Sequence, residues 1–442
     1  MKKAAGLAAM NFMILIMALS ILSCQGKKAP EGPVAIEYWY GAGAVIGETI
    51  ETIIKNFNES QNEVVVTGVQ QANWDETIRQ LQAAIAAGQV PAAVHATPGN
   101  VPIFSRQNLL EPLEKYIEDT PGFNLQDFVP VLMAYCYSDN NELVALPVNG
   151  STQILYYRID TFNKDNGIDP EEAFKSWQSL AEACKKIVRR DAGGETVFFG
   201  WDPMWGAGNL KVLAYSNGAR ELSADGRTAM LNTPQWIEPW DAMRKWIHED
   251  KIFKINFGGQ GWEYWYKTID DVLQGRTAGY TGSAGDQGDL DFNIVAAHIQ
   301  PGYGGNPPKI DVDGMVGIIP KGADERQKAA GFKWLAYFTS PQMTGYYSMR
   351  TGYMAVRNSV AESPEFQAYA AEHPRILVPL QQAAFGVKNF YDFTGGKINT
   401  ALNDAADMIE IETVPAAQAL GEAQRIAQAA LDEYWAEVDR NK

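Results

Sequence analysis

From residue 34 onward, short apolar runs alternate with longer amphipathic stretches, a pattern that predicts strands and helices in turn. Residues 34–40, 64–69 and 90–96 have the β-branched and aromatic composition of strands. Between them, at about 48–58 and 74–87, apolar residues recur at helical spacing. The β-α-β-α-β order predicts a parallel sheet covered by helices.

The apolar run at residues 143–158 is broken once by Pro147 and once by Asn149-Gly150. Proline lacks the N–H that a central strand needs and glycine is permissive in φ, so the run predicts two strands joined by a bend. Small polar side chains at the bend suit either an ordinary strand–loop–strand or a chain that crosses between two lobes beside a polar ligand. They are those of Asn149, Ser151, Thr152 and Gln153.

Two later breaks in the pattern are further candidates for crossings between lobes. Residues 301–308 are rich in Pro and Gly and separate an apparent strand at 294–299 from another at 313–320. A third break, at 351–357, comes after a clear helix at 324–339. At 442 residues the chain is long enough for two sizeable domains, which such crossings would join.

The N-terminus has the pattern of an export signal. Lys2 and Lys3 precede an apolar stretch at residues 7–22, and Ile21-Leu22-Ser23-Cys24 is similar to the bacterial lipobox. We therefore predict a signal peptide at 1–23, a lipid on Cys24, a polar tether at 24–33 and a membrane location facing the periplasm or the exterior. The alternative is a transmembrane anchor, but a span needs about 20 apolar residues and Asn11 interrupts the run.

Composition narrows the class of protein further. The formal net charge of −16 argues against binding nucleic acid, and 46% hydrophobic with 11% aromatic residues is enough to build cores. Apart from Cys24, the chain has Cys136 and Cys184. Their spacing matches no rule, so a disulfide and two separate buried thiols both stay open.

Motifs for catalysis, metals and cofactors are missing from the sequence. The glycine-rich turn at 41–47 lacks the Lys-Ser/Thr of a phosphate loop and misses the dinucleotide spacing, and no G-x-S-x-G occurs. Asp286, Asp289 and Asp291 resemble half of a calcium loop without its glycine and terminal Glu. The isolated histidines are His95, His248, His298 and His373. We expect no metal, no cofactor and no enzyme, although a glycosidase needs only two carboxylates and stays an open alternative.

Aromatic residues recur in glycine-rich loops. Residues 200–206 carry Trp201 and Trp205 between glycines, and residues 258–266 repeat the pattern with Trp262 and Trp265. Flat ring faces beside small polar groups suit the C–H faces and hydroxyls of a sugar. A non-sugar ligand such as a peptide or polyamine stays open.

Several motifs together resemble the extracellular solute-binding proteins of ABC importers, in the carbohydrate-binding group near the glycerol-phosphate and maltose binders. The resemblance runs from Val34 to the C-terminus. Its motifs, in chain order, are Leu146-Pro147 with Asn149-Gly-Ser-Thr, Leu155-Tyr-Tyr-Arg, Ser176-Trp-Gln-Ser-Leu, Asn217-Gly, Asp225-Gly, Leu231-Asn, Phe338-Thr-Ser-Pro341, Thr351-Gly-Tyr353 and Val356-Arg357.

This resemblance implies a periplasmic-binding-protein-like α/β fold with two lobes, a multi-strand hinge and a ligand cleft between them. The N-terminal lobe would comprise 34–147 plus 304–350, and the C-terminal lobe 148–303 plus 351–442. The implied partners are a small carbohydrate and the permease subunits of the importer, with the receptor itself a monomer held at the membrane by its lipid.

Carried over residue by residue, the resemblance also implies a set of ligand contacts. They are Trp39, Tyr40, Trp74, Ser151, Trp201, Trp205, Ser283, Gly314, Tyr353 and Arg357. Arg357 is expected either to contact the ligand or to brace the hinge. Gly43 and Pro98 stand where the glycerol-phosphate binder has Glu, and Gly279 replaces a usual Met. These departures favour a neutral mono- or oligosaccharide over glycerol phosphate.

Overall fold

A computed structural model describes residues 32–387 and 389–440 of the protein. The predicted signal peptide, Cys24 and the tether up to residue 31 lie outside this range. Within it, every helix is too short or too polar to span a membrane.

The described chain contains strands β1 (Val34–Tyr40), β2 (Val64–Gln70), β3 (Ala93–Ala96), β4 (Ala145–Arg158), β5 (Arg189–Arg190), β6 (Thr196–Phe198), β7 (Gly279–Ser283), β8 (Val295–His298), β9 (Ile310–Ile318) and β10 (Gly386–Val387). Its α-helices are α1 (Ala44–Ser60), α2 (Trp74–Ala87), α3 (Asn100–Arg106), α4 (Glu114–Glu118), α5 (Pro130–Met133), α6 (Pro170–Ala173), α7 (Trp177–Ile187), α8 (Ala207–Ser216), α9 (Pro234–His248), α10 (Glu263–Leu273), α11 (Glu325–Phe338), α12 (Pro341–Thr351), α13 (Pro364–Glu372), α14 (Val378–Ala383), α15 (Lys397–Glu410) and α16 (Ala416–Arg440).

Neighbouring polar and glycine residues set the ends of the first two helices. The Asn73 side chain accepts a hydrogen bond from the Glu76 N–H and caps α2, and Gly88 ends that helix with φ of 67°. α1 begins at Ala44, inside the glycine turn and one turn before the predicted start. Both helices therefore point their N-termini toward the loops that follow β1 and β2.

The main sheet has the order β2-β1-β3-β9-β4-β7. β1 is parallel to both β2 and β3, whereas β9 is antiparallel to both β3 and β4. β7 and β8 pair only with the second half of β4, and β10 pairs only with the beginning of β9. β4 and β9 thus run side by side through both halves of the molecule and form the hinge.

β4 is one continuous strand of 14 residues, where the sequence predicted two strands and a bend. The predicted break survives only as a register shift between Pro147 and Asn149 in the pairing with β9. A bulge of this kind tolerates a proline inside a sheet. Gly150 then exchanges two backbone hydrogen bonds with Met354, at 2.8 and 2.9 Å.

Two large hydrophobic clusters define the two lobes. The cluster of lobe one packs α1, α2, α11 and α12 on β1–β3, and the cluster of lobe two packs α7–α9, α15 and α16. Cys136 is buried in the first and Cys184 in the second, and both thiols are free. The disulfide that the sequence left open is excluded, because the two side chains lie in separate cores.

Packing also locates the crossings between the lobes. Ile310 packs in lobe two and Val312 in lobe one, so the second crossing lies within β9 itself, beyond the predicted boundary at residue 304. Tyr353 and Val356 still belong to the lobe-one cluster. The chain reaches lobe two only near Arg375, whose carbonyl accepts a hydrogen bond from Gln287. The third crossing therefore falls later than Thr351.

Candidate functional site

A cavity of about 560 Å³ lies between the two lobes. Lobe one contributes the turn after β3 and the segment after α5, and lobe two contributes the first turns of α8 and α15. Its aromatic lining is Tyr135, Tyr137, Phe390 and Tyr391, its amides are Asn389, Asn399 and Asn403, and its charged side chains are Asp139, Lys211 and Asp313. Rings, amides and carboxylates from both lobes therefore line one cleft between the lobes.

The hinge strands form the floor of this site. Ser151 of β4 lies directly opposite Asp313 of β9 in the antiparallel register, so the two side chains share one face of the sheet. Ser151 Oγ is 3.3 Å from Ser283 Oγ at the end of β7. The Tyr353 hydroxyl lies near Ser283, and it is close enough to Asp313 for their charges to interact. Three hydroxyls and one carboxylate thus converge where the crossings meet.

Asp313 joins this floor to the cavity. Asn389 Nδ2 donates a long hydrogen bond of 3.4 Å to its carboxylate. Burial, reinforced by the nearby charge of Asp311, raises the pKa of Asp313 to about 7, and Lys211 and Asn389 oppose the rise. Lys211 is the one cation among the described residues that line the cavity. The cleft therefore carries a carboxylate that changes charge near neutral pH.

An aromatic platform on lobe two is made of Trp205, Trp262, Tyr264 and Trp265. The ring of Trp205 meets Tyr264 edge-on at 5.0 Å between centroids, and Trp262 meets Trp265 at 6.0 Å. All four side chains are partly exposed. Trp205 is held by a 2.6 Å hydrogen bond from Nε1 to Asp407 Oδ1, and it precedes the start of α8 that lines the cavity.

The lobes are in contact around the cavity. A Cβ on Gly288 would lie 2.8 Å from Val45 Cγ1, and one on Gly352 would lie 2.5 Å from the Ala284 carbonyl oxygen. At the mouth of the cavity, Arg106 of lobe one donates a 2.8 Å hydrogen bond to the hydroxyl of Tyr391. The structure therefore has the two lobes closed over the cleft.

Five of the ten predicted ligand contacts lie at the hinge or where the two lobes face each other, although none of them is in the described lining of the cavity. Ser151, Ser283 and Tyr353 meet at the floor, and Trp205 stands in the aromatic platform. Trp74 begins α2 beside Ala72, whose carbonyl oxygen lies 3.8 Å from a Cβ placed on Gly261 of lobe two. The Trp74 ring also covers His95, with 4.9 Å between ring centroids.

Three of the predicted aromatic contacts lie away from the cleft. Trp39 lines a groove on the outer surface of lobe one, where Nε1 donates to Glu37 at 2.8 Å. Tyr40 and Trp201 are 1% and 0% exposed in the two lobe cores, and Trp201 Nε1 donates to Thr281 Oγ1 at 3.1 Å. A ligand in the cleft cannot reach these rings, so we remove all three from the site.

The last two predicted contacts have structural roles. Arg357 is 4% exposed and donates to the backbone carbonyls of Thr339 and Asn124, at 2.7 and 2.5 Å. That position makes it a brace inside lobe one. Gly314 lies opposite Gly150 in the β4–β9 pair. A glycine occupies this position because the two backbones approach each other closely.

Sequence reasoning selected none of the residues that line the cavity; among them, Lys211 and Asn389 both interact with Asp313. The aspartate was visible just before Gly314 as one of two polar residues, with Asp311, in a strand otherwise apolar. Lys211 and Asn389 gave no local signal, because an isolated lysine on a helix and an asparagine in a loop are ordinary surface residues.

Asp286, beneath the floor of the site, should make the protein less stable at alkaline pH. Its carboxyl accepts from Trp265 Nε1 at 2.9 Å and from the Tyr280 hydroxyl at 3.1 Å, and burial raises its pKa to about 8. Between about pH 4 and pH 8 the folded protein retains a proton that the unfolded chain has released, so stability falls as pH rises.

Asp286→Asn keeps a group that pairs with both neighbours and removes the titration. We expect this variant to gain about 1 kcal/mol or more over the wild type at pH 8.5 and much less at pH 5, in urea unfolding followed by fluorescence. The exposed Asp165→Asn is the control and should keep the wild-type slope. Equal slopes for Asp286→Asn and the wild type would contradict the assignment.

Two α/β lobes that share hinge strands and close over a ring-lined, polar cavity define a ligand-binding receptor, in which one ligand is held by both lobes. The chain belongs to the family of bacterial extracellular solute-binding proteins, whose model matches residues 52–374.

Known proteins support the same conclusion. The chain is 22% identical over 357 residues to the sn-glycerol-3-phosphate-binding periplasmic protein UgpB of Salmonella typhimurium, covering 78% of this chain and 80% of that protein. UgpB from Mycobacterium tuberculosis, solved with glycerophosphocholine, superposes with a TM-score of 0.78 at 20% identity over 91% of this chain and 99% of that one. An ABC substrate-binding protein from Listeria monocytogenes, solved with cycloalternan, gives 0.78 at 16% identity over 90% and 99%. The predicted fold class is confirmed.

Proposed function

We propose that this protein is a lipid-anchored receptor that binds a neutral sugar or oligosaccharide and delivers it to the permease of an ABC importer. The observation that carries the proposal is the closed cavity between the lobes, lined by four aromatic rings and three amides with a single described cation. Rings supply stacking area for a sugar, and amide groups both donate and accept hydrogen bonds to hydroxyls.

The charges of the cavity favour a neutral ligand over a glycerol phosphate. A phosphate dianion is bound in proteins by several cations or by backbone N–H groups. Here the described lining offers Lys211 against the carboxylates of Asp139 and Asp313. Although one relative is named for sn-glycerol 3-phosphate and one neighbour was solved with glycerophosphocholine, we propose that this cleft has a different specificity.

Binding would act by selecting the closed arrangement of the lobes. A ligand that contacts both lobes stabilises that arrangement relative to an open one, and the permease then recognises the closed surface. No covalent bond is made or broken in this cycle. The main alternative, an exported enzyme with a carboxylate pair, would instead turn over its sugar.

Tryptophan fluorescence tests the proposed ligand class directly. The chain has 12 tryptophans, and Trp74 and Trp205 lie at the cleft. Glucose, maltose and maltotriose should give saturable changes at micromolar concentrations, and sn-glycerol 3-phosphate should bind at least tenfold more weakly. Tighter binding of the phosphate would reverse the proposed specificity. Sugar fragments that accumulate over hours, measured by chromatography, would establish the enzyme instead.

Cys24→Ser is expected to release the protein from membranes. The predicted lipid is attached to this cysteine, and acyl chains contribute about 0.8 kcal/mol for each buried CH₂. After expression in a bacterium and fractionation, the wild type should sediment with membranes and the variant should stay in the supernatant.

A signal peptide that is not cleaved would also hold the variant at the membrane, so the size of each product is checked by mass spectrometry. Ser23→Ala is the control and should remain bound; a membrane-bound, processed Cys24→Ser protein would contradict the anchor.

A further inference from the structure

Asp313 lies where the hinge strands meet the cavity. It faces Ser151 across the β4–β9 pair and lines the cavity between the lobes. Among the described residues, only Asn389 donates a hydrogen bond to its side chain, over a long 3.4 Å. An ionised carboxylate has about four acceptor sites, so most of the capacity of Asp313 is left for a ligand.

The groups around Asp313 come from every element packed against it. Its own strand contributes Asp311, α8 contributes Lys211, the segment after α5 contributes the Tyr135 hydroxyl, and the segment after α12 contributes that of Tyr353. Tyr135 donates to the Val312 carbonyl at 2.9 Å and accepts from Asn389 N at 3.4 Å, which holds the asparagine in place. Asp311 has a buried oxygen, Oδ1, without a partner, and faces the charges of Lys211 and Glu221.

We propose that Asp313 determines the specificity of the cleft by accepting hydrogen bonds from two adjacent hydroxyl groups of the ligand. Lys211, across the cavity, would donate to a hydroxyl oxygen of the same ligand. This inference rests on the sugar-receptor function proposed above and narrows it to polyols with vicinal hydroxyls. An anionic ligand is rejected because its charge would meet the ionised carboxylate.

A required carboxylate makes binding depend on pH. Burial and Asp311 place the pKa of Asp313 near 7 in the free protein. Above that value the acceptor pair is present and affinity is constant. Below it a proton must leave before the ligand binds, so the dissociation constant rises by up to tenfold for each pH unit. Such a receptor binds best in neutral to alkaline surroundings and releases its ligand on acidification.

Calorimetric titration at pH 5.5, 6.5, 7.5 and 8.5 tests the proposal, with glucose, maltose and maltotriose as probes. For the probe that binds most tightly, the wild-type dissociation constant should rise about tenfold or more between pH 7.5 and 5.5. Asp313→Asn should weaken binding about 10- to 100-fold at pH 8.5, because a neutral amide replaces a charged acceptor, and its affinity should not vary with pH. Asp311→Asn is the matched control: it lies two residues away on the same strand and outside the cavity lining. It should keep the wild-type affinity at pH 8.5 and still lose affinity on acidification, but at a lower pH, because removing the charge of Asp311 lowers the pKa of Asp313.

The outcomes separate the two proposals. If a sugar binds the wild type equally at all four pH values, or if Asp313→Asn keeps wild-type affinity, the role of Asp313 is overturned and the sugar receptor stands. If none of the three probes binds the wild type, both are overturned. Thermal unfolding without ligand shows whether Asp313→Asn is folded. If it is not, the wild-type pH profile alone tests the role of Asp313.

Discussion

Gly314→Ala is expected to destabilise the protein by about 3 kcal/mol or more and to abolish ligand binding at micromolar concentration. A Cβ at this position would lie 1.9 Å from the carbonyl oxygen of Asn149 and 2.9 Å from the Cα of Gly150. Both obstacles are backbone atoms of the paired strand, so no side-chain rotation relieves the clash. Only separation of β4 from β9 would relieve the clash. That separation would open the hinge and would displace Ser151 and Asp313, which face each other across the two strands.

Urea unfolding followed by intrinsic fluorescence measures this effect, with sugar titration on the folded fraction. Gly208→Ala is the control for stability alone, since a Cβ there has no atom within 4 Å and the residue, which lines the cavity, sits in the first turn of α8. Alanine should stabilise that helix by up to about 1 kcal/mol. Equal stability of the two alanine variants would show that the hinge strands can separate without cost.

Arg357→Ala should lower the free energy of unfolding by about 3 kcal/mol while leaving the ligand affinity of the folded protein within about threefold. The guanidinium is almost fully buried, donates to two backbone carbonyls and lies 3.5 Å from the centroid of the Phe128 ring. Its loss leaves the carbonyls of Thr339 and Asn124 without these donors and opens a void in lobe one.

The split between stability and affinity distinguishes a brace from a ligand contact. Chemical unfolding gives the first quantity, and calorimetry with the tightest-binding sugar gives the second. Arg350→Ala, an exposed arginine at the end of α12, should change the stability by less than about 0.5 kcal/mol. A stable Arg357→Ala protein that no longer binds sugar would return Arg357 to the binding site.

Local sequence patterns predicted the elements of lobe one well and the faces of its strands poorly. Strand β1 and helix α2 have the predicted bounds. Yet Trp39 and Tyr40 were both expected at the ligand, although neighbours on a strand point to opposite faces. Tyr40 faces the core and Trp39 faces the outer surface, because helices cover one side of β1. Neither ring lies in the cleft.

Aromatic residues in the glycine loops show the same limit. Trp201 and Trp205 are four positions apart in one loop and looked alike as sugar platforms. The first is fully buried and hydrogen-bonded to Thr281, and the second stays partly exposed against Tyr264. Composition marks a loop as aromatic, but the neighbours that cover a ring come from distant parts of the chain.

The sequence by itself determined the alternation of strands and helices, the two-lobe α/β class and the family, since each depends on local patterns or on the order in which local motifs follow one another. Only the tertiary structure decided that β4 at the hinge is one continuous strand, that the two thiols lie in different cores, and that Asp313, Lys211 and Asn389 face one cavity. Asn389 is 76 residues from Asp313 in the chain and yet reaches its carboxylate. Such a meeting is set by how the two lobes pack on a shared pair of strands, and no local pattern encodes it.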